Sequence, residues 1–158
     1  MQSDLDKGFT LFEISIVLVV IGILSAIAAP SFIGLLRRSE FDNSMTRIRA
    51  AMELTQRESM KRSKRCTLSI PEGNNPTISS SCGLLDNSPL KNIVIDHVDT
   101  SGTLDLIYTH KGTVVAGESK IRLSSVEGSK SMCIATGIIG SIRVGEWDST
   151  LNNCVASR

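Results

Sequence analysis

Gly8-Phe9-Thr10-Leu11-Phe12-Glu13 leads into an apolar run that continues from Ile14 to Ala29 and stops at Pro30. Between Phe9 and Ala29 the only ionisable side chain is Glu13. As a helix rising ~1.5 Å per residue, the run is roughly 30 Å long, matching the hydrocarbon core of a bilayer. It reads as a membrane span, because a helix buried in a protein core is seldom this long without a polar interruption. Glu13 is an odd passenger. A carboxylate near the end of such a helix costs ~2–3 kcal/mol on insertion scales and usually has a function, unless the interface keeps it wet. The flank is odd too. Met1–Lys7 is short and polar, with Asp4, Asp6 and Lys7. A secretory signal places its small-residue cleavage site after the apolar stretch. Here the small residue, Gly8, comes before it, and Ala26-Ile27-Ala28-Ala29-Pro30 is a poorer match to such a site.

Lys7-Gly8, the aromatic Phe9, the glutamate four positions later, and the apolar run with Gly22 and Pro30 together resemble the prepilin processing site of type IV pilins and type II secretion pseudopilins. The resemblance covers about the first thirty residues. It implies that prepilin peptidase cuts between Gly8 and Phe9 and that Phe9 becomes the methylated amino terminus. It also implies that Glu13 assists assembly and that Pro30 closes the assembly segment. The implied location is the bacterial inner membrane, single-pass with the carboxyl-terminal domain outside the cytoplasm, and then a pilus or pseudopilus. The implied partners are other pilin or pseudopilin subunits, the peptidase and the membrane. Physical chemistry agrees with this reading. Cleavage would give Phe9 an ammonium group, and a buried charge is tolerable when paired and costly when alone. Glu13 of one subunit and the terminus of a neighbour then form a device that rewards correct register.

With 158 residues, the chain has room for one anchor and one small domain. Its net charge of +1 names no partner, but the distribution is uneven. Arg37, Arg38, Arg47, Arg49, Arg57, Lys61, Arg62, Lys64 and Arg65 face only Glu40, Asp42, Glu53 and Glu58 over the same stretch. Such a run is more often the solvated face of a helix than a nucleic-acid patch, and its last four cations suit the negative end of a helix dipole. Arg37 and Arg38 behind the span would, by the positive-inside rule, keep that side cytoplasmic. The processing site and the cysteines argue for the reverse.

Cys66, Cys82, Cys133 and Cys154 all follow the span, and an even count in a small exported domain reads as disulfides. Four cysteines allow three pairings. The expected one is Cys66–Cys82 with Cys133–Cys154, which closes a short loop and ties down a tail poor in apolar residues. The crossed pairings need the first and last strands to be neighbours, and they stay open. The spacings hold no C-x-x-C pair, so no metal site is expected.

Along the chain, residues 1–8 read as a leader, 9–30 as the membrane half of a helix, 31–65 as its amphipathic half and 66–158 as a β-rich domain. Phe41, Met45, Ile48 and Met52 recur every three or four residues, one face of a helix through about residue 62. Pro30 predicts a kink or local loosening. Beyond Cys66 the period shortens. Strands are expected at 66–70, weakly at 77–82, and at 92–98, 103–109, 113–116, 120–125, 132–135 and 138–144. Loops are expected at 71–76 and 86–89, and a tail from 146. The fold class is α+β: a long amino-terminal helix, membrane-spanning in its first half, packed on a carboxyl-terminal antiparallel sheet or small sandwich, pilin-like.

A basic helix end running straight into a strand and an all-β remainder is most similar to minor pilins of the GspH/FimT type. Some of those bind DNA through a glycine-arginine-x-arginine motif. The nearest stretch here is Gly140-Ser141-Ile142-Arg143, with Ser141 in the place of the first arginine. DNA binding in uptake is therefore the alternative function, with Arg143 and Arg158 as its contacts. No catalytic set, cofactor site or phosphate loop appears. Asp96 and Asp99 flank His97, but strand neighbours point to opposite faces, and both His97 and His110 read as surface or turn residues.

Overall fold

A computed structural model describes residues 9–83, 85–115, 117–128 and 130–156, and the side chains of 27–31 and 156 lie outside the description. The leader up to Gly8, and Arg158, are likewise outside it. The chain divides into two compact units, one up to Arg37 and one from Arg38.

Helix α1 is Leu11–Lys61. Its start is a cap: the Glu13 N–H donates to Thr10 Oγ1 (3.3 Å) and the Ile14 N–H to the Thr10 carbonyl (3.2 Å). Glu13 thus lies in the first turn, where the helix dipole favours an anion. The helix continues through Pro30 without a break.

In the second unit the α1 stripe is as the sequence predicts. Phe41, Met45, Ile48 and Met52 are buried, and Thr55 and Ser59 prolong the stripe toward the carboxyl end. The helix stops in a Schellman motif. The Lys64 N–H donates to the Ser59 carbonyl, the Ser63 N–H to that of Met60 (both 3.2 Å), and Ser63 adopts φ +50°. A non-glycine residue in that conformation is strained. Ser63→Gly should therefore raise the unfolding free energy by about 0.5–1 kcal/mol, read as a higher urea midpoint at unchanged slope.

Among the described residues nine strands follow: β1 Cys66–Pro71, β2 Gly73–Asn74, β3 Ser79–Ser80, β4 Val94–His97, β5 Thr103–Tyr108, β6 Ser119–Ser124, β7 Ser131–Thr136, β8 Ile142–Asp148 and β9 Asn153–Ala156. They form two antiparallel sheets, ordered β3-β1-β5 and β2-β4-β6-β7-β8-β9. Strict alternation drives this. Cys66, Leu68 and Ile70 of β1, Leu104, Leu106 and Tyr108 of β5, and Ile121 and Leu123 of β6 all turn inward. With the α1 stripe they make one apolar cluster. Register pairs Cys66 with Tyr108 and Ile70 with Leu104 across β1 and β5, and Ile121 with Ile134 across β6 and β7.

The expected disulfides are both present. Cys66–Cys82 and Cys133–Cys154 have Cα separations of 5.4 and 5.7 Å.

Several strand boundaries differ from the sequence reading. Residues 138–141 are a turn, and the last long strand begins at Ile142 and carries Trp147. The run Ile138-Ile139 looks like strand core, yet Gly140 at φ +80° turns the chain there. The tail is not loose: Asn153–Ala156 pairs with β8, joining Trp147 to Cys154 in register. Of the strand expected at 113–116, residues 113–115 make an isolated bridge, Tyr108 to Val114, and Ala116 lies outside the described residues. The expected loop at 71–76 contains the short strand β2, which pairs with β4.

Candidate functional site

The first candidate region is the start of α1. Phe9, Leu11 and Phe12 are 78, 89 and 73% exposed, and every described side chain from Leu11 to Ala26 is exposed. Contiguous apolar surface on this scale marks a binding face for lipid or protein. Glu13 has no ion-pair partner among the described residues. Among those residues no helix is long and apolar enough to cross a membrane. The described side chains of the run end at Ala26, whereas the run in the sequence continues to Ala29. Gly8 lies outside the described residues.

The second region is the basic end of α1, where the structure separates paired from unpaired cations. Arg49 bonds Glu53 (3.0 Å) and Arg62 bonds Glu58 (2.8 Å), while Arg57 and Lys61 approach the same two carboxylates at 3.9 and 3.8 Å. The Arg62 hydrogen bond holds the Glu58 carboxyl below the usual carboxylate range. Arg47 reaches across to Asp86 (3.2 Å) and to the carbonyl of Ser88 (3.0 Å). These are the ladders of a solvated helix face. Lys64 and Arg65, past the helix end, are exposed and have no acidic partner among the described residues.

The third region is the turn before β8. Gln56 Nε2 donates to the carbonyl oxygens of Gly112 (2.8 Å) and Gly140 (3.1 Å), so one α1 side chain clamps two turns together. Gly137 and Gly140 close the second turn, with the Gly137 N–H donating to the Ser141 carbonyl and the Gly140 N–H to that of Gly137, both 2.8 Å. Arg143 follows on β8, exposed and without an acidic partner among the described residues. Its register neighbour is Ala135, whose other neighbour is Lys120. Arg158, the other expected contact, lies outside the described residues.

His97 is a correction. It is buried, not at the surface, and its Nε2 lies 2.9 Å from the Ile70 carbonyl oxygen, linking β4 to β1. Glu72 braces the same corner by accepting the N–H of Gly102 (2.7 Å) and of His97 (3.1 Å), which lowers its carboxyl pKa. Asp96 points the other way and pairs with Arg122, which lies over Trp147 with its guanidinium carbon 5.8 Å from the ring centroid. Among the described residues no acidic side chain hydrogen-bonds the His97 ring, whose Nδ1 is buried without a partner. His110 is an exposed turn residue, as expected. Tyr108 is fully buried and its phenol is pushed up to about 12 by that burial. Among the described residues no group of three or more His, Cys, Asp or Glu side chains is placed to hold a metal ion.

The Gln56 clamp leaves little signature in the sequence. Its only trace there is the close spacing of Gly137 and Gly140, which reads equally well as strand bending.

A family model described as the prokaryotic N-terminal methylation motif matches residues 5–29. Among solved structures, the chain is similar to the type IV minor pilin FimU of Pseudomonas aeruginosa in two crystal forms. One has a TM-score of 0.51 at 12% identity, over 68% of this chain and 89% of that one. The other has a TM-score of 0.47 at 14% identity, over 68% and 90%. At such identities the likeness speaks for the fold alone, and it does so through the first form. No curated protein matches the chain.

Proposed function

We propose that this type IV pilin-like chain is a minor pilin or pseudopilin, a structural subunit processed by prepilin peptidase and built into a type IV pilus or type II secretion pseudopilus. The methylation motif at 5–29 and the minor-pilin fold support it. The observation that carries it is the apolar surface of α1 from Phe9 to Ala26, exposed throughout and holding one unpaired carboxylate, Glu13. A surface of that kind needs a bilayer before assembly and neighbouring helices after it. On this reading 1–8 is removed, 9–30 is the membrane and assembly segment, 31–65 joins it to the domain, and 66–158 is displayed outside the cytoplasm. The protein is not an enzyme. The one reaction is performed on it, at Gly8–Phe9.

Mass spectrometry of the mature amino terminus tests this. The expected species begins at N-methylated Phe9, and replacing Gly8 with a bulky residue leaves the leader attached and blocks incorporation. An intact Met1 terminus in assembled fibres would overturn the reading.

DNA contact during uptake is the second reading, favoured by the unpaired Lys64, Arg65 and Arg143. It would appear as a gel shift that weakens steeply with salt.

A further inference from the structure

The six-stranded sheet carries a concavity of about 700 Å³ where β6 to β9 meet the turn at 137–141. That is within the ~300–1,000 Å³ of ligand pockets and more than a bare ion needs. Its floor is a row set by register. Lys120 of β6, Ala135 of β7 and Arg143 of β8 are successive neighbours, and all three line the hollow. At a strand spacing of ~4.8 Å, the two cationic positions are roughly 10 Å apart, with only a methyl group between them. Neither cation has an ion-pair partner among the described residues.

One part of the lining is apolar. Ile138 and Ile139 are 65 and 78% exposed on the turn. Another part is polar. The Ser141 hydroxyl and the Asn153 amide nitrogen make no hydrogen bond among the described residues. The lining is also fixed in advance. Two backbone bonds close the turn and Gln56 clamps it, while Cys154 is tied to β7 by its disulfide. A site organised before binding loses less freedom when a ligand arrives.

The charges select the ligand. Glu118 is the one acid in the lining, so two cations leave a single positive charge to neutralise. One carboxylate does this, and an arginine beside a lysine offers it charge-assisted hydrogen bonds. A nucleic-acid strand brings a run of phosphates, which Glu118 repels. It also stacks its bases on aromatic side chains, and none lines this hollow. The isoleucines call for aliphatic groups, and the free hydroxyl and amide call for peptide groups. A polypeptide end supplies all three.

We propose that this concavity binds the free carboxyl terminus of a partner polypeptide that ends in aliphatic residues. The terminal carboxylate sits between Lys120 and Arg143. The last side chains lie against Ile138 and Ile139, and the peptide groups before them meet Ser141 and Asn153. An internal segment has no such carboxylate, so the site reads chain ends. The contact is independent of how α1 is used, and it gives Arg143 a role other than DNA.

The test is fluorescence anisotropy with the full chain in mild detergent and a dye-labelled hexapeptide ending in two leucines. Saturable binding is expected, with the carboxamide twin bound about tenfold or more weakly. Lys120→Gln and Arg143→Gln should each weaken binding about tenfold, and Ile139→Ser a few-fold. Glu118→Gln should tighten it a few-fold, a change of sign that misfolding does not produce. Intact disulfides and an unchanged urea midpoint report folding. Absence of saturable binding, equal binding of acid and carboxamide, or indifference to both cation variants would each overturn the proposal. So would displacement by octanoate at the concentration the unlabelled peptide needs, which would make the ligand a small fatty acid. Displacement by a single-stranded oligonucleotide at a lower concentration than the peptide would assign the hollow to DNA and overturn it too.

Discussion

Gly140→Ala should lower the unfolding free energy by roughly 3–4 kcal/mol, combining ~1–2 kcal/mol for a left-handed non-glycine residue with two clamp hydrogen bonds of ~1 kcal/mol each. Gly140 sits at φ +80°, and a Cβ there would lie 2.1 Å from the Gly112 carbonyl oxygen and 2.3 Å from Gln56 Nε2. Neither neighbour can yield cheaply. The carbonyl belongs to a turn that the same glutamine holds, and moving Gln56 breaks both of its bonds. Gly102→Ala is the control: it shares a positive φ, +93°, but its Cβ would meet nothing within 4 Å. It should cost only about 1 kcal/mol, the conformational part alone. Thermal unfolding of the two variants checks this, with a fall of about 10 °C for Gly140→Ala and about 3 °C for the control. Equal shifts would mean that the clamp contributes nothing.

Glu13→Ala should leave membrane insertion intact or improved, since it removes a charge from an apolar run, yet reduce incorporation into fibres by about tenfold or more. In the fibre, the Phe9 ammonium of a neighbour would lose its partner, and an uncompensated buried charge costs ~3–5 kcal/mol. The exposed, unpaired Glu13 of the single chain is the state such a pairing requires before assembly. Glu13→Gln separates charge from size: it keeps the shape and should fail nearly as badly. The fraction of chain recovered in sheared fibres is the measurement, and normal incorporation of either variant would refute the pairing.

What was legible in the sequence follows from the range over which each signal acts. The α1 stripe and the alternation of β1 and β5 are local periodicities set by burial on one face, so Phe41, Met45, Ile48 and Met52 could be read off directly. The cysteine pairing was legible because one loop is short and the other ends a tail with little else to hold it. The turn at 138–141 was not legible, because two isoleucines carry the same strand signal whether buried or displayed. Only the contact of Gly140 with Gln56, 84 positions away, decides between them. His97 was misread for a similar reason: its partner is a backbone carbonyl 27 residues distant, which leaves no side-chain signature. The helix stop was hidden because Ser63 occupies a position where glycine is the usual signal.

The Cys133–Cys154 bond joins β7 directly to β9 and passes over the strand between them. Consider tension applied along the chain from α1 to the carboxyl end. In a domain without that bond, the last hairpin would peel away one ladder hydrogen bond at a time. The 21-residue interval would then play out by roughly 70 Å at ~3.3–3.6 Å per residue. With the bond in place, load arriving at Cys133 crosses to Cys154 through covalent sulfur, and β8 lies in a slack loop that carries no tension. Cys66–Cys82 removes a second interval, at the junction where α1 hands over to the sheets. A subunit wired in this way transmits pull with little extension, as a short tether and not a spring, and its compliance is left to the stretch between Cys82 and Cys133.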